Sequence, residues 1–409
     1  MKVAHVLRKY DPDEWGGTES AVLQLLTGLR TCGVTSEVWA PHLSHQPKGD
    51  PFGEAGFAVQ RFSAFLPTIG ISKEERTRRM AVGGNIMSID LPLRLARSRG
   101  IDIVHSHALG RLGATARRVA QGKRVPFVVT IHGGYLDLPP QVRASFQRAS
   151  SDGVEYGKLF GALVGARNVV SKADAVITCN PREAELLEAR HEARRVVRMP
   201  HGIDTASYAK DHRAAAIRWL PQLKRRRLLL CVGRIDTVKN QAFLVEQMVR
   251  VRIAHPDTLL ALVGPVTDRA HANKVETLIE QQGLRDTVVL AGALPPGDPR
   301  LLGLYQAAEV VLLPSLSETF GLVLLEAWAA GSAVMATRTS GAEQVLRDGE
   351  NGYFFSIDDP ESFHRALERT LGDRDATGAM IERGRQLAIH EYDTSAVAKR
   401  FKELYQSLR

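Results

Sequence analysis

Residues 314–331, PSLSETFGLVLLEAWAAG, carry the reading from which the fold follows. Just before them, residues 310–313 (VVLL) form an apolar run of strand length, and from Phe320 onward the pattern turns helical. Glu318 then falls in the loop between strand and helix, and Glu326 lies eight residues later on the helix itself. A carboxylate among apolar residues is costly unless it receives hydrogen bonds, and vicinal sugar hydroxyls would supply them. The alternative is a helix-start glutamate plus a core-edge glutamate that caps something local.

Working outward, the same strand-then-helix alternation repeats along the chain. Candidate strands are residues 228–232, 259–263, 288–291, 310–313 and 333–336 in the second half. In the first half they are residues 3–7, 36–40, 101–104, 126–131 and 175–178, with a further one at 196–199. Apolar runs separated by helix-length segments are the signature of α/β architecture, with parallel sheets covered on both faces. The motif PHGID, residues 200–204, precedes a polar, basic stretch and marks a hinge. From residue 358 only helical patterns remain, with a break at residues 392–395 where DTS offers an N-cap. The expected organisation is a first domain over residues 1–202, a second over 203–380, and terminal helices over 381–409 that return to the first domain.

Composition narrows the class. The 409 residues are 44% hydrophobic and 24% charged, with no low-complexity block, as in a soluble globular chain of two domains. Three widely spaced cysteines suggest neither a disulfide framework nor a zinc site. The start reads as a short strand and a polar loop, unlike a signal peptide, and the strongest apolar stretch, residues 322–330, is too short to span a bilayer. A cytoplasmic location is the expectation. A formal net charge of +9 favours anionic partners without choosing among nucleotide, lipid face and nucleic acid.

Several segments carry candidate chemistry. The strand 228–232 runs into GRIDTVKNQ, which sets Arg234 and Lys239 at the carboxyl end of a strand, the edge where open α/β sheets bind ligands. A guanidinium fork and an ammonium point charge together suit a diphosphate, although solvated loop cations are common. In WGGTES, Gly16 and Gly17 follow the first strand and precede a helix, so backbone N–H groups can approach an anion. A tight turn with Thr18 as N-cap fits as well. There is no full G-x-G-x-x-G, which disfavours a dinucleotide. His132 ends a strand ahead of Gly133 and Gly134, either beside a ligand or as a structural hydrogen bonder. His105 and His107 share one face, but no third metal ligand is visible nearby, and Asp11 and Asp13 read as solvated turn residues rather than a metal-binding D-x-D.

Taken in order and spacing, ETFGLVLLE, GRIDTVKNQ, the early GG loop, TIHGG (residues 130–134), PHGID and GAEQVLRDGENGYFF (residues 341–355) resemble the retaining glycosyltransferases of family 4 over essentially the whole chain. The resemblance implies the GT-B fold, two Rossmann-like domains facing across a cleft, the first binding an acceptor and the second a nucleotide sugar. It implies that Arg234 and Lys239 hold the donor diphosphate, together with backbone N–H groups of Gly17 and of the turn around Thr319, Phe320, Gly321 and Leu322. Glu318 would bind hydroxyls of the transferred sugar, Glu326 the ribose, Gly292 to Leu294 the nucleobase edge, and His132 the reaction centre. The donor would be a UDP-sugar, with GDP-mannose next. The acceptor would be a small molecule, a glycan or a lipid-linked sugar, with no metal or other cofactor. Competing expectations are a phosphorylase or sugar-nucleotide epimerase on the same fold, and a non-catalytic protein using LKRRR (residues 223–227) on nucleic acid or membrane, although no nucleic-acid motif is present. The basic run KEERTRRM (residues 73–80) suggests at most weak, salt-sensitive contact with anionic lipid.

Overall fold

A computed structural model describes residues 1–43, 45–81, 85–132, 136 and 154–409. The chain divides into two compact units, Met1–Pro200 with Val397–Arg409, and His201–Ala396.

The strands of the first unit are β1 (Lys2–Val6), β2 (Thr35–Pro41), β3 (Ala58–Phe62), β4 (Thr68–Ile69), β5 (Ile103–Ser106), β6 (Phe127–Ile131), β7 (Val154–Glu155), β8 (Ala175–Thr178) and β9 (Val196–Arg198). Seven of them form one parallel sheet in the order β3-β2-β1-β5-β6-β8-β9, while β4 and β7 make a small antiparallel pair. Strands β5, β6 and β8 are buried along their whole length; β6 and β8 accordingly read as largely apolar runs rather than alternating ones, whereas β5 buries His105 and Ser106 in its second half. Strand β3, with its sequence AVQRF, lacks that signal and escapes a reading based on apolar runs.

The second unit holds β10 (Arg227–Val232), β11 (Thr258–Val263), β12 (Val288–Gly292), β13 (Ala308–Leu313), β14 (Ala333–Thr337) and β15 (Tyr353–Phe355). They form one parallel sheet in the order β12-β11-β10-β13-β14-β15. Both sheets are therefore doubly wound, with the strand order reversing between β1 and β5 in one unit and between β10 and β13 in the other. The crevice outside the carboxyl ends of two such strands is where this architecture accepts ligands.

The terminal helices are Pro360–Gly372, Arg374–Tyr392 and Thr394–Leu408. The middle one packs through Gly384 against the indole of Trp328, so closely that a methyl at position 384 would overlap the ring. The last contributes Val397, Ala398, Phe401, Leu404 and Tyr405 to a core shared with Val3, Ile103, Val128 and Ile177 of the first sheet. Among the described residues, no helix is long and apolar enough to cross a membrane. Four arginines of the basic runs are engaged within the chain. Arg226 donates to the carbonyls of Asp286 and Thr258, Arg227 pairs with Glu309, Arg76 donates to the carbonyls of Leu66 and Thr68, and Arg79 pairs with Glu75.

Burial of Phe401 in the first unit's core gives a direct test of that docking. Phe401→Ala is expected to cost about 3 kcal/mol, read as a lower urea midpoint; an unchanged midpoint would contradict the packing.

Candidate active site

In the second unit, strand β10 leads through Gly233 into the loop that carries Arg234 and Lys239. The loop is fixed from several sides. The Ile235 amide donates to the Pro265 carbonyl at 2.8 Å, Gln241 Nε2 donates to the Arg234 carbonyl at 2.8 Å, and the buried Asp236 accepts from the Lys239 amide at 2.9 Å. The Arg234 guanidinium, about half exposed, stands 3.1 Å from Asp236 Oδ2. Lys239 reaches across to the next strand end and forms an ion pair with Glu318, with both side chains largely shielded from solvent. A backbone bond from the Leu316 amide to the Val238 carbonyl, 2.8 Å, joins the same two loops.

The turn after Glu318 is equally determined. The Gly341 amide donates to the Glu318 carbonyl at 2.8 Å, and Gln344 Nε2 donates to the Thr319 carbonyl at 3.1 Å. Any side chain at position 341 would overlap the Phe320 nitrogen and the Glu318 carbonyl. Gly321 adopts φ 81°, a conformation that favours glycine, and caps the helix Leu322–Ala330 without a side-chain bond. The helix thus begins two residues beyond the expected start at Phe320, and its first-turn N–H groups and dipole face the same edge as Lys239 and Arg234. Phe320 is held by edge-on contacts with His201 of the PHGID motif and with Tyr392, at ring separations of 5.2 and 5.7 Å.

Glu326 stands one helical turn deeper. Its Oε2 accepts a hydrogen bond of 2.6 Å from the hydroxyl of buried Tyr305, so the partner that its apolar surroundings demand is supplied in part by the protein. Although the residue keeps some accessible surface, desolvation pushes its carboxyl up to about 7, opposed by the Tyr305 bond. The Tyr305 hydroxyl is itself held well above its ordinary range, by burial first and by Glu326 second. Thr319, Phe320 and Gly321 join Glu318, paired with Lys239, to the helix from Leu322 that carries Glu326. Gly292, with φ 78°, ends β12, two strands away from β10, and accepts from the Gly264 amide at 2.9 Å. Among the described residues no hydrogen bond ties Gly292 or Leu294 to Lys239, Glu318 or Glu326.

In the first unit the helix Gly17–Thr31 begins at β1's carboxyl end, with Gly16 as its N-cap rather than Thr18. The buried carboxylate of Glu19 accepts from the Gly16 and Glu19 amides, while burial raises its pKa. The helix's own Glu19 thus caps the Gly16 and Glu19 amides, which the glycines alone did not reveal. A methyl at Gly17 would meet nothing within 4 Å. His132 follows β6 and its Nε2 lies 2.8 Å from His107 Nδ1. Gly133 and Gly134 fall outside the described residues. The expectation that His105 and His107 lack a nearby third ring is corrected: β1 brings His5 beside them, with ligand atoms of all three within 4.8 Å. His45 likewise joins Asp11 and Asp13 at 3.4 and 3.3 Å.

The raised pKa of Glu326 has a consequence for stability. Below about pH 4.5 the group is protonated in both folded and unfolded chains, and its contribution is fully present. Between there and about 7 the unfolded chain ionises while the folded one keeps its proton, so that contribution is lost as pH rises. The parent is expected to lose stability relative to Glu326→Gln across this window in urea unfolding; parallel profiles would contradict it.

Comparison with known proteins bears on the family and the fold. The profile described as Glycosyltransferase Family 4 matches residues 15–207, and that described as Glycosyl transferases group 1 matches residues 215–387. A D-inositol 3-phosphate glycosyltransferase of Acidothermus cellulolyticus is 32% identical over 66% of this chain and 59% of its own length. Its namesake in Corynebacterium urealyticum is 29% identical over 100% of this chain and 96% of its own. Among solved structures, Anabaena Alr3699/HepE in complex with UDP-glucose superposes with a TM-score of 0.74 at 16% identity, covering 100% of both chains. Sucrose-phosphate synthase of Thermosynechococcus elongatus gives a TM-score of 0.72 at 24% identity, covering 100% of this chain and 98% of the other. At those identities the structures speak for the fold, and the profiles speak for the family. The chain belongs to the glycosyltransferases of family 4 and has their GT-B fold.

Proposed function

We propose that the protein transfers a hexosyl group from a nucleoside diphosphate sugar, a UDP-sugar ahead of GDP-mannose, to an acceptor hydroxyl, with retention of configuration and without a metal ion. The observation that carries this reading is the Lys239–Glu318 ion pair beside Arg234, set at the reversal point of the second sheet. An ammonium held by a carboxylate and a guanidinium held by Asp236 form a cationic seat whose present partners a diphosphate can replace.

Cleavage of the glycosidic bond to phosphate leaves negative charge on the departing β-phosphate oxygen and positive charge at the anomeric carbon. Lys239, Arg234 and the N-terminus of the helix Leu322–Ala330 stabilise the former as fixed charges and dipoles. Glu318, released from Lys239, accepts from hydroxyls of the transferred sugar. Glu326 accepts from the ribose hydroxyls while Tyr305 steadies its other side. The acceptor oxygen bonds to the anomeric carbon on the face the phosphate leaves, and its proton passes to the departing phosphate oxygen. No nucleophilic carboxylate is required.

The relatives named for D-inositol 3-phosphate support a small phosphorylated polyol as acceptor, ahead of a glycan or lipid-linked sugar. The inward engagement of Arg76, Arg79, Arg226 and Arg227 argues against a nucleic-acid or membrane-binding protein without turnover. It fits a cytoplasmic enzyme whose attachment to anionic lipid, where it occurs, is salt-sensitive.

Glu326→Ala is expected to weaken UDP-sugar binding roughly 10- to 100-fold, the loss of the hydrogen bonds that its carboxyl makes to the ribose hydroxyls; equal affinities in calorimetry would remove Glu326 from the ribose. Turnover is expected to persist in excess chelator, because fixed cations meet the leaving charge. Complete loss, restored by magnesium or manganese, would return Asp11, Asp13 and His45 to consideration as metal ligands.

A further inference from the structure

Glu326 is held from a second helix. The helix Pro299–Ala307, which runs into β13, carries Tyr305, and the helix Leu322–Ala330, which follows β13 through the Glu318 loop, carries Glu326. Tyr305 is completely buried. Its hydroxyl donates to Glu326 Oε2 at 2.6 Å, its carbonyl accepts from Ser332 Oγ just before β14, and its ring meets Tyr208 edge-on at 6.1 Å. A phenol fixed at its backbone, its ring and its hydroxyl has little freedom to turn away. Among the described residues no other hydrogen bond reaches the Glu326 carboxyl, and the residue keeps some accessible surface, so Oε1 is left for a ligand.

We propose that Tyr305 is a positioning residue for the donor: it holds the Glu326 carboxyl in the orientation that accepts the ribose diol, and thereby sets a preference for a ribonucleotide over a 2′-deoxyribonucleotide. This rests on the assignment of Glu326 to the ribose. A glutamate has three side-chain torsions to order on binding, and the Tyr305 bond orders them beforehand. A 2′-deoxyribose lacks one of the two hydroxyls, and that loss is felt in full only where the acceptor cannot turn to another partner.

The same bond governs the protonation state in which Glu326 works. A carboxylate accepts from both hydroxyls, whereas the acid gives up acceptor capacity to its own proton. Burial pushes the carboxyl up to about 7, and the Tyr305 bond opposes that rise. Donor affinity is therefore complete above about 7 and falls as the pH drops below it; without the phenol the fall begins at a higher pH. The two phenols that face Glu326 stay neutral in this range, since Tyr305 and Tyr208 are held well above their ordinary values by burial first and by Glu326 second. Asp204 acts on Tyr208 and caps the short helix Thr205–Tyr208, and the Cys231 thiol behind Tyr305 is pushed up to about 12 by burial. The helix Arg374–Tyr392 packs through Gly384 on Trp328, two residues from Glu326 and so nearly opposite it around the helix. Strands β13 and β14 bring only Glu309, paired with Arg227, and the turn of helix Ala342–Val345 brings Glu343, paired with Arg338.

Calorimetric titration of UDP-glucose or GDP-mannose, whichever binds, against its 2′-deoxyribose counterpart tests the role. The parent is expected to favour the ribose donor about tenfold or more at a pH near 8, and to lose that preference as the pH falls through about 7. Tyr305→Phe keeps the ring and its contact with Tyr208, so the variant is expected to fold, which urea unfolding checks. It is expected to cut the preference to about threefold or less and to move the pH midpoint of donor affinity upward. Added to Glu326→Ala, it is expected to change donor affinity no further. An undiminished ribose preference with an unmoved midpoint in folded Tyr305→Phe would overturn the role of Tyr305 and leave Glu326 on the ribose. A flat pH profile in the parent would overturn it without any variant. Equal binding of ribose and deoxyribose donors by the parent, or binding of neither UDP-glucose nor GDP-mannose, would overturn the assignment of Glu326 and the role of Tyr305 together.

Discussion

The Lys239–Glu318 ion pair is the constraint around which the second unit's site is built. It spans two loops that leave adjacent parallel strands, β10 and β13, and it is reinforced by the Leu316–Val238 backbone bond and by Gly341 beneath the turn. Removing either charge would leave the other poorly solvated, which is costlier than never having placed the pair. Two opposite charges held in register without ligand are also ready to take a ligand that carries both chemistries, a diphosphate for the ammonium and hydroxyls for the carboxylate. Preorganisation of this kind avoids reorienting dipoles during the reaction.

The two units apply one architectural rule to different chemistry. Each parallel sheet reverses its strand order once, and each reversal point gathers polar side chains. In the second unit these are a lysine, an arginine and two glutamates. In the first they are histidines linked ring to ring, with the Glu19 carboxylate seated on the helix start. That carboxylate satisfies the N-cap and first-turn amides of its own helix.

Much of this was legible in the sequence because it is local. Strands buried on both faces announce themselves as apolar runs, and Arg234, Lys239, Glu318 and Glu326 sit at fixed offsets from strand ends. What escaped was non-local or masked by composition. Strand β3 mixes polar residues into its run, and β15 spans only three residues. The Tyr305 hydroxyl that satisfies Glu326 lies on the helix before β13, and no spacing rule connects them. His5 is about a hundred residues from His107 in the chain and meets it only because β1 pairs with β5. The helix start at Leu322 depended on the conformation of Gly321, which the apolar pattern from Phe320 concealed.

Amide hydrogen exchange with and without UDP tests the placement of the donor most directly. Slowed exchange is expected in peptides covering residues 233–241 and 315–326, where backbone and cations would meet the diphosphate, while β5, β6 and β8 of the first sheet stay unchanged. Protection confined to the first unit, or no protection at saturating UDP, would contradict a donor site built on Lys239 and Glu318.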